Sequence, residues 1–178
     1  SAKLSPVNQL FAPLETTEKL LFAVAGAGFA GLTLAIASGM SFVTDLVEQH
    51  LAHKFGLSLL AWLVFGAAVI WAVIYDTFYA MVDREDDKKI GIKSTAILFG
   101  EVDLFVIAGL QLLMLATLVF IGLRAELGFW YYLSVAGAGA LMAYHLWLAR
   151  DRQPAGCFAA FLQNHYIGLV IFIGIVLH

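Results

Sequence analysis

Apolar residues run along this chain in long blocks rather than in alternation, and five of the blocks exceed the length a sheet strand uses. They extend roughly over Leu20 to Met40, Gly56 to Val82, Leu104 to Leu123, Gly128 to Ala149 and Cys157 to Leu177, with Asp76 the one Asp, Glu, Lys or Arg inside them. A hydrocarbon core about 30 Å thick takes about 20 apolar residues of helix to cross. In lipid a helix satisfies its own backbone, and these blocks lack the period of two that marks a membrane barrel strand. The pattern predicts an all-α fold, a polytopic transmembrane helix bundle of about five spans over residues 20–178. Ser1 to Lys19, with Pro6, Pro13, Glu15 and Glu18, reads as a polar extramembrane lead-in; it lacks the basic-then-apolar order of a signal peptide.

Composition agrees with the pattern. Of 178 residues, 62% are hydrophobic and 13% charged, against about 45–50% and about 25% in soluble domains. A single cysteine, Cys157, excludes a disulfide framework or a thiolate zinc site and reads as a small packing residue. The net charge of -3 leaves no basic footprint for nucleic acid.

The basic residues are distributed unevenly. Taken by alternate loops, Lys3, Lys19, Arg84, Lys88, Lys89, Lys93, Arg150 and Arg152 fall on one side, and Lys54 and Arg124 on the other. Because Lys and Arg near span ends stay in the cytoplasm, the amino terminus and the loop from Asp83 to Asp103 are expected to be cytoplasmic and His178 to lie opposite. Small residues in the run Gly26, Gly28, Ala30, Gly31 and in Ala136 to Ala140 are expected to let helices approach closely. Phe129, Trp130, Tyr131, Tyr132, Phe158 and Phe161 stand where interfacial aromatics anchor a span.

One stretch carries chemistry. Tyr75 to Gly100 reads YDTFYAMVDREDDKKIGIKSTAILFG. If the second helix continues through Asp87, then Asp76, Tyr79, Ala80, Asp83 and Asp87 share a face. Asp83 and Asp87 are then one turn apart, and Asp76 is about 10 Å deeper. A carboxylate inside a span is costly unless it meets a cation or a watery cavity. Two carboxylates one turn apart offer oxygen ligands to magnesium, which keeps its other positions for water and phosphate oxygens. Lys88, Lys89 and Lys93 would face the remaining charge of a diphosphate and stabilise it as it leaves. The competing reading makes DREDDKK a solvated loop with locally paired charges; it leaves Asp76 unexplained.

The same stretch closely resembles the second aspartate-rich motif of the UbiA-type intramembrane prenyltransferases, and CFAAFLQNHYIGLVIFIGI, around Asn164 and Tyr166, resembles their last helix. The resemblance covers about two thirds of the chain, from the second block onward. It implies an Mg2+-dependent enzyme of the bacterial inner membrane. The reaction would move a polyprenyl chain from polyprenyl diphosphate to 4-hydroxybenzoate in ubiquinone biosynthesis. It also implies catalytic roles for Asp76, Asp83 and Asp87, with Asp83 and Asp87 holding Mg2+ and Arg84, Lys88 and Lys93 meeting the diphosphate.

The family's NxxxDxxxD and YxxxK motifs do not occur here, and the only asparagines are Asn8 and Asn164. The chain therefore resembles the carboxyl portion of a nine-helix enzyme, to be completed by a complementary chain or a second copy. Two other functions stay open: a non-catalytic membrane remnant, and a transporter, for which Asp76 has no acidic partner in the other spans.

The remaining polar residues read structurally. His145 and His165 are expected to hydrogen-bond to neighbouring helices. His50 and His53, near Asp45 and Glu48, read as a solvated loop rather than a metal site. Gly91 is expected to end the acid-bearing helix, and Ser94 or Thr95 to cap the next turn.

Overall fold

The computed structural model describes residues 14–42 and 52–178. The expectations for residues 1–13, Asp45, Glu48, His50 and the side chain of His53 lie outside the described residues. Among the described residues seven α-helices follow in order: α1 (Leu14–Phe42), α2 (Ala52–Ile90), α3 (Thr95–Phe99), α4 (Asp103–Arg124), α5 (Phe129–Ala149), α6 (Pro154–Gln163) and α7 (His165–Val176). A 3-10 turn, Gly100–Val102, joins α3 to α4. Among the described residues four helical segments are long and apolar enough to cross a membrane: Lys54–Ile90, Thr95–Arg124, Phe129–Ala149 and Pro154–Val176. The first expected span lies within α1, where Gly26–Gly39 is a shorter apolar stretch. Leu14 to Lys19, the end of the expected lead-in, is already helical.

The chain divides into two compact units, residues 1–62 and 63–178, with the boundary inside α2. In the first, the Phe29 and Trp62 rings stack 5.0 Å apart, and Trp62 Nε1 donates to Thr33 Oγ1 at 2.7 Å. A methyl group at Gly26, Gly28 or Gly31 would meet nothing within 4 Å, so this small-residue run makes no close helix contact among the described residues.

In the second unit small residues do set the packing. A methyl group at Gly174 of α7 would collide with the Ser134 side chain of α5, and one at Gly168 would come within 2.7 Å of the Trp71 ring. Within Ala136 to Ala140, Ala138 is fully buried, while Gly137 faces Val170 of α7 and Gly139 faces Leu115 of α4. Interhelical contact at small residues is how helices associate where lipid supplies no hydrophobic drive. The core gathers Ile74, Phe78, Ile107, Met142, Cys157 and Ile167, all but closed to the surroundings. Cys157 is thus the packing residue expected of it.

Two local expectations change. Tyr131 is not an interfacial anchor but a core residue, 1% exposed, whose hydroxyl donates to the Leu118 carbonyl at 2.9 Å. Phe129 and Trp130 remain exposed, as anchors should. The block Cys157 to Leu177 is two helices that meet at Asn164, where Asn164 N–H bonds to Phe161 O and Ile167 N–H to Asn164 O in tightened three-residue steps. The connection from Asp83 to Asp103 is helical through Ile90, as the expected extension up to Gly91 requires, and again from Thr95.

The two ends of this unit differ. Arg84, Gly100, Glu101, Asp103 and Arg152 meet at one end, while Gly128 N–H donates to His178 Nδ1 at 2.8 Å at the other.

Candidate active site

The acids depend on α2 continuing beyond its apolar run, and the sequence after Val82 explains why it does. Arg84, Glu85, Lys88 and Lys89 suit a helix. Lys88 Nζ pairs with Glu85 at 2.8 Å, and Lys89 Nζ with Asp86 at 2.8 Å, both across three residues. The two lysines also lie in the last turn, where the helix dipole favours positive charge. Gly91 then stops the helix at φ +77°, and Ile92 N–H reaches back to Asp87 O at 3.0 Å, closing the end as a Schellman turn. Ser94 occupies the N-cap position of α3 but makes no side-chain cap; the hydroxyls of Ser94 and Thr95 are buried without a partner among the described residues.

Continuity to Ile90 puts Asp76, Asp83 and Asp87 on one stripe of α2, as the spacing predicts. Their environments separate them from the neighbouring acids. Glu85 and Asp86 are 77% and 79% exposed and engaged by lysines, as a solvated charge run would be. Asp76, Asp83 and Asp87 are half-buried. Among the described residues no side chain hydrogen-bonds or ion-pairs with the carboxylate of Asp83 or Asp87. Both therefore keep their oxygens available to a cation. No group of three or more His, Cys, Asp or Glu that could hold a metal occurs among the described residues, so the pair supplies only part of a coordination sphere.

The candidate cations lie in three environments. Lys93 is exposed in the turn after Gly91. Lys88 is held by Glu85. Arg84, beside Asp83, turns instead into the protein: its Nη2 donates to Asp103 Oδ2 and, at 3.3 Å, to Gly100 O.

Asp103 is the residue that reading the sequence missed. It is fully buried at the start of α4 and accepts from Arg84, from Leu104 N–H at 2.7 Å and from Arg152 Nε at 3.1 and 3.3 Å. Arg152 also donates through Nη2 to Glu101 O at 2.6 Å. The bond to Asp103 holds the Arg152 guanidinium above its ordinary pKa. Arg152 adopts φ +52°, a left-handed conformation that a non-glycine residue leaves unless its surroundings hold it. The available signal was a lone acid opening an apolar span, with an arginine in a short turn far along the chain.

An apolar cavity of about 280 Å³ lies deeper in this unit, between Val64, Ala68 and Trp71 of α2, Met114 and Leu118 of α4 and Gly168 of α7. At about 100° per residue its α2 lining is about a third of a turn from the acid stripe. None of the acids lines it.

Comparison with known proteins decides the relationship. The sequence pattern of the UbiA prenyltransferase family matches residues 19–172. The chain belongs to the UbiA prenyltransferase family. This UbiA-family chain is 55% identical over 139 residues to the 4-hydroxybenzoate octaprenyltransferase of Marinobacter nauticus, covering 78% of this chain and 47% of that protein. It is 46% identical over 162 residues to the protein of the same name from Alkalilimnicola ehrlichii, covering 82% and 55%. With that of Hahella chejuensis it shares 47% over 155 residues, covering 86% and 47%. The chain spans about half the length of the curated relatives it matches. No solved structure matches it. Family membership and the four apolar helical segments make it an integral membrane protein.

Proposed function

We propose that the chain carries the second carboxylate half of an Mg2+-dependent active site that transfers a polyprenyl group from its diphosphate to 4-hydroxybenzoate. The observation that carries this reading is the half-buried pair Asp83 and Asp87, one turn apart on α2 and unengaged by side chains among the described residues, beside exposed acids that are engaged. The names of the relatives supply the reaction and the acceptor.

Asp83 and Asp87 would hold magnesium; when bound, it neutralises diphosphate charge and stabilises the leaving group. Lys93, exposed past the end of α2, is free to swing toward the diphosphate, and Lys88 could join it by releasing Glu85. Asp76, about two turns deeper, faces the region where the allylic carbon would lie as its bond to oxygen breaks. The ring carbon of the acceptor then bonds to that carbon, and the displaced ring proton leaves to water. The isoprenoid tail would remain along the apolar helices. The uneven loop charges support a cytoplasmic α2–α4 connection and Arg152 turn, and the reaction proposed here suits a bacterial inner membrane.

The expected outcome is definite. Membranes containing the chain prenylate 4-hydroxybenzoate when magnesium is present and stop when it is chelated. Asp83→Ala and Asp87→Ala abolish the transfer, and Asp86→Ala, at an exposed paired acid, leaves it intact. Transfer surviving both of the first two substitutions would overturn the assignment.

A second reading is favoured by the absence of a three-ligand cluster among the described residues and by the half-length coverage. On that reading the chain binds a magnesium–diphosphate weakly or not at all without a complementary segment or a second copy bearing further ligands. Calorimetric titration with a polyprenyl diphosphate analogue separates the two, since tight magnesium-dependent binding by the chain alone excludes the second.

A further inference from the structure

We propose that Asp103 is a positioning residue for the carboxylate mouth, acting through Arg84 to fix the turn of α2 that carries Asp83 and Asp87. The proposal rests on the reading of those two acids as magnesium–diphosphate ligands.

Asp103 is fully buried, so it cannot itself touch a diphosphate at the mouth. Its oxygens are taken up by three elements: Arg84 from α2, Arg152 from the turn between α5 and α6, and Leu104 N–H from α4 itself. Arg84 follows Asp83 directly, and its side chain is only 17% exposed. A rotation of α2 that moved Asp83 would therefore pull Arg84 from both Asp103 and Gly100 O. Arg152 fixes the other side of the carboxylate from strained backbone, which its bonds to Asp103 and Glu101 O help to hold. Carboxylate–guanidinium bonds are directional as well as strong, which suits them to setting orientation rather than adding charge alone.

Two guanidinium groups against one carboxylate leave the cluster with one net positive charge. This gives the proposal a sign that a purely electrostatic role would reverse. Neutralising Asp103 leaves more positive charge near the mouth, so simple Coulomb attraction predicts tighter binding of an anion. If Asp103 positions Asp83 and Asp87, the same change weakens binding.

The test is calorimetric titration of inorganic pyrophosphate with magnesium into the chain held in lipid nanodiscs, with thermal melting measured in parallel. Wild-type chain and Asp86→Asn are expected to bind equally, and Asp83→Ala to lose binding. Asp103→Asn is expected to weaken binding about tenfold or more, the scale typical of groups that orient metal ligands. Asp103→Glu, which keeps the charge, is expected to recover part of that loss. Should Asp103→Asn fail to fold, Arg84→Lys and Arg152→Lys take its place, each keeping charge while losing the planar fork. Unchanged or tighter binding in the folded Asp103 variant, or unchanged binding in both lysine variants, overturns the positioning role while Asp83→Ala still loses binding. No magnesium-dependent binding by wild type, or wild-type binding by Asp83→Ala, overturns the site reading and the positioning role with it.

Discussion

Individual acids and bases on α2 divide by surroundings more than by type. Glu85 and Asp86 pair with lysines in the open, whereas Asp83 and Asp87 are half-covered and unengaged among the described residues. His145 presents the opposite case. It is fully buried, in edge contact with Phe78, and neither ring nitrogen has a partner among the described residues. An unsatisfied buried polar group costs about 1–3 kcal/mol. His145→Leu should therefore leave the melting temperature in detergent unchanged or raise it, and a fall of several degrees would show that the imidazole is engaged after all. The sequence led one to expect a bond from His145 to a neighbouring helix, and periodicity has no means of locating such a partner. His165 does find one, with Nδ1 2.6 Å from Leu162 O at the end of the preceding helix. The DxxxD pair was legible because helical spacing alone puts two residues four apart on one face. Asp103 was not, because a single charge at the edge of an apolar block looks the same whether it marks a boundary or closes an ion pair with a residue 49 positions away.

Helices show which small residues are structural. Gly174 and Gly168 of α7 lie where a methyl group would meet Ser134 or Trp71, and the α1 glycines lie where it would meet nothing within 4 Å. Gly174→Ala is expected to lower stability by about 1–3 kcal/mol through overpacking. Gly26→Ala should be neutral or stabilising by up to about 1 kcal/mol, since alanine is the better helix former. Denaturant titration in mixed micelles followed by circular dichroism measures both, and equal effects would contradict the packing described. Spans two to four and the extension of α2 through Asp87 could be read from block length and spacing. The division of the last block at Asn164 could not, because the polar run Gln163, Asn164 and His165 is compatible with either one continuous helix or a break between two. Tyr131 was misplaced for a related reason, as an aromatic at a span end is consistent with either a lipid interface or a core that offers its hydroxyl a carbonyl.

Across residues 63–178 the connections gather at opposite ends, with the Arg84, Asp103 and Arg152 cluster at one and the Gly128 to His178 hydrogen bond at the other. The loop charges then predict which end faces the cytoplasm. Lys93→Cys and Arg124→Cys should be labelled by a membrane-impermeant maleimide from opposite faces of oriented vesicles, Lys93→Cys from the cytoplasmic one. The native thiol, Cys157, is buried and should contribute little background. Labelling of both from the same face would refute the alternation. The break at Asn164 bears on how such a chain enters a bilayer. Its side-chain amide is buried with neither atom partnered among the described residues, at the point where two helices join. Hydrocarbon cannot satisfy such a group, and the two helices that join there, α6 and α7, both pack on α5. Biogenesis is thereby given a direction: the final pair of helices, carrying a polar joint into the bilayer, finds its packing surface only once α5 has been inserted.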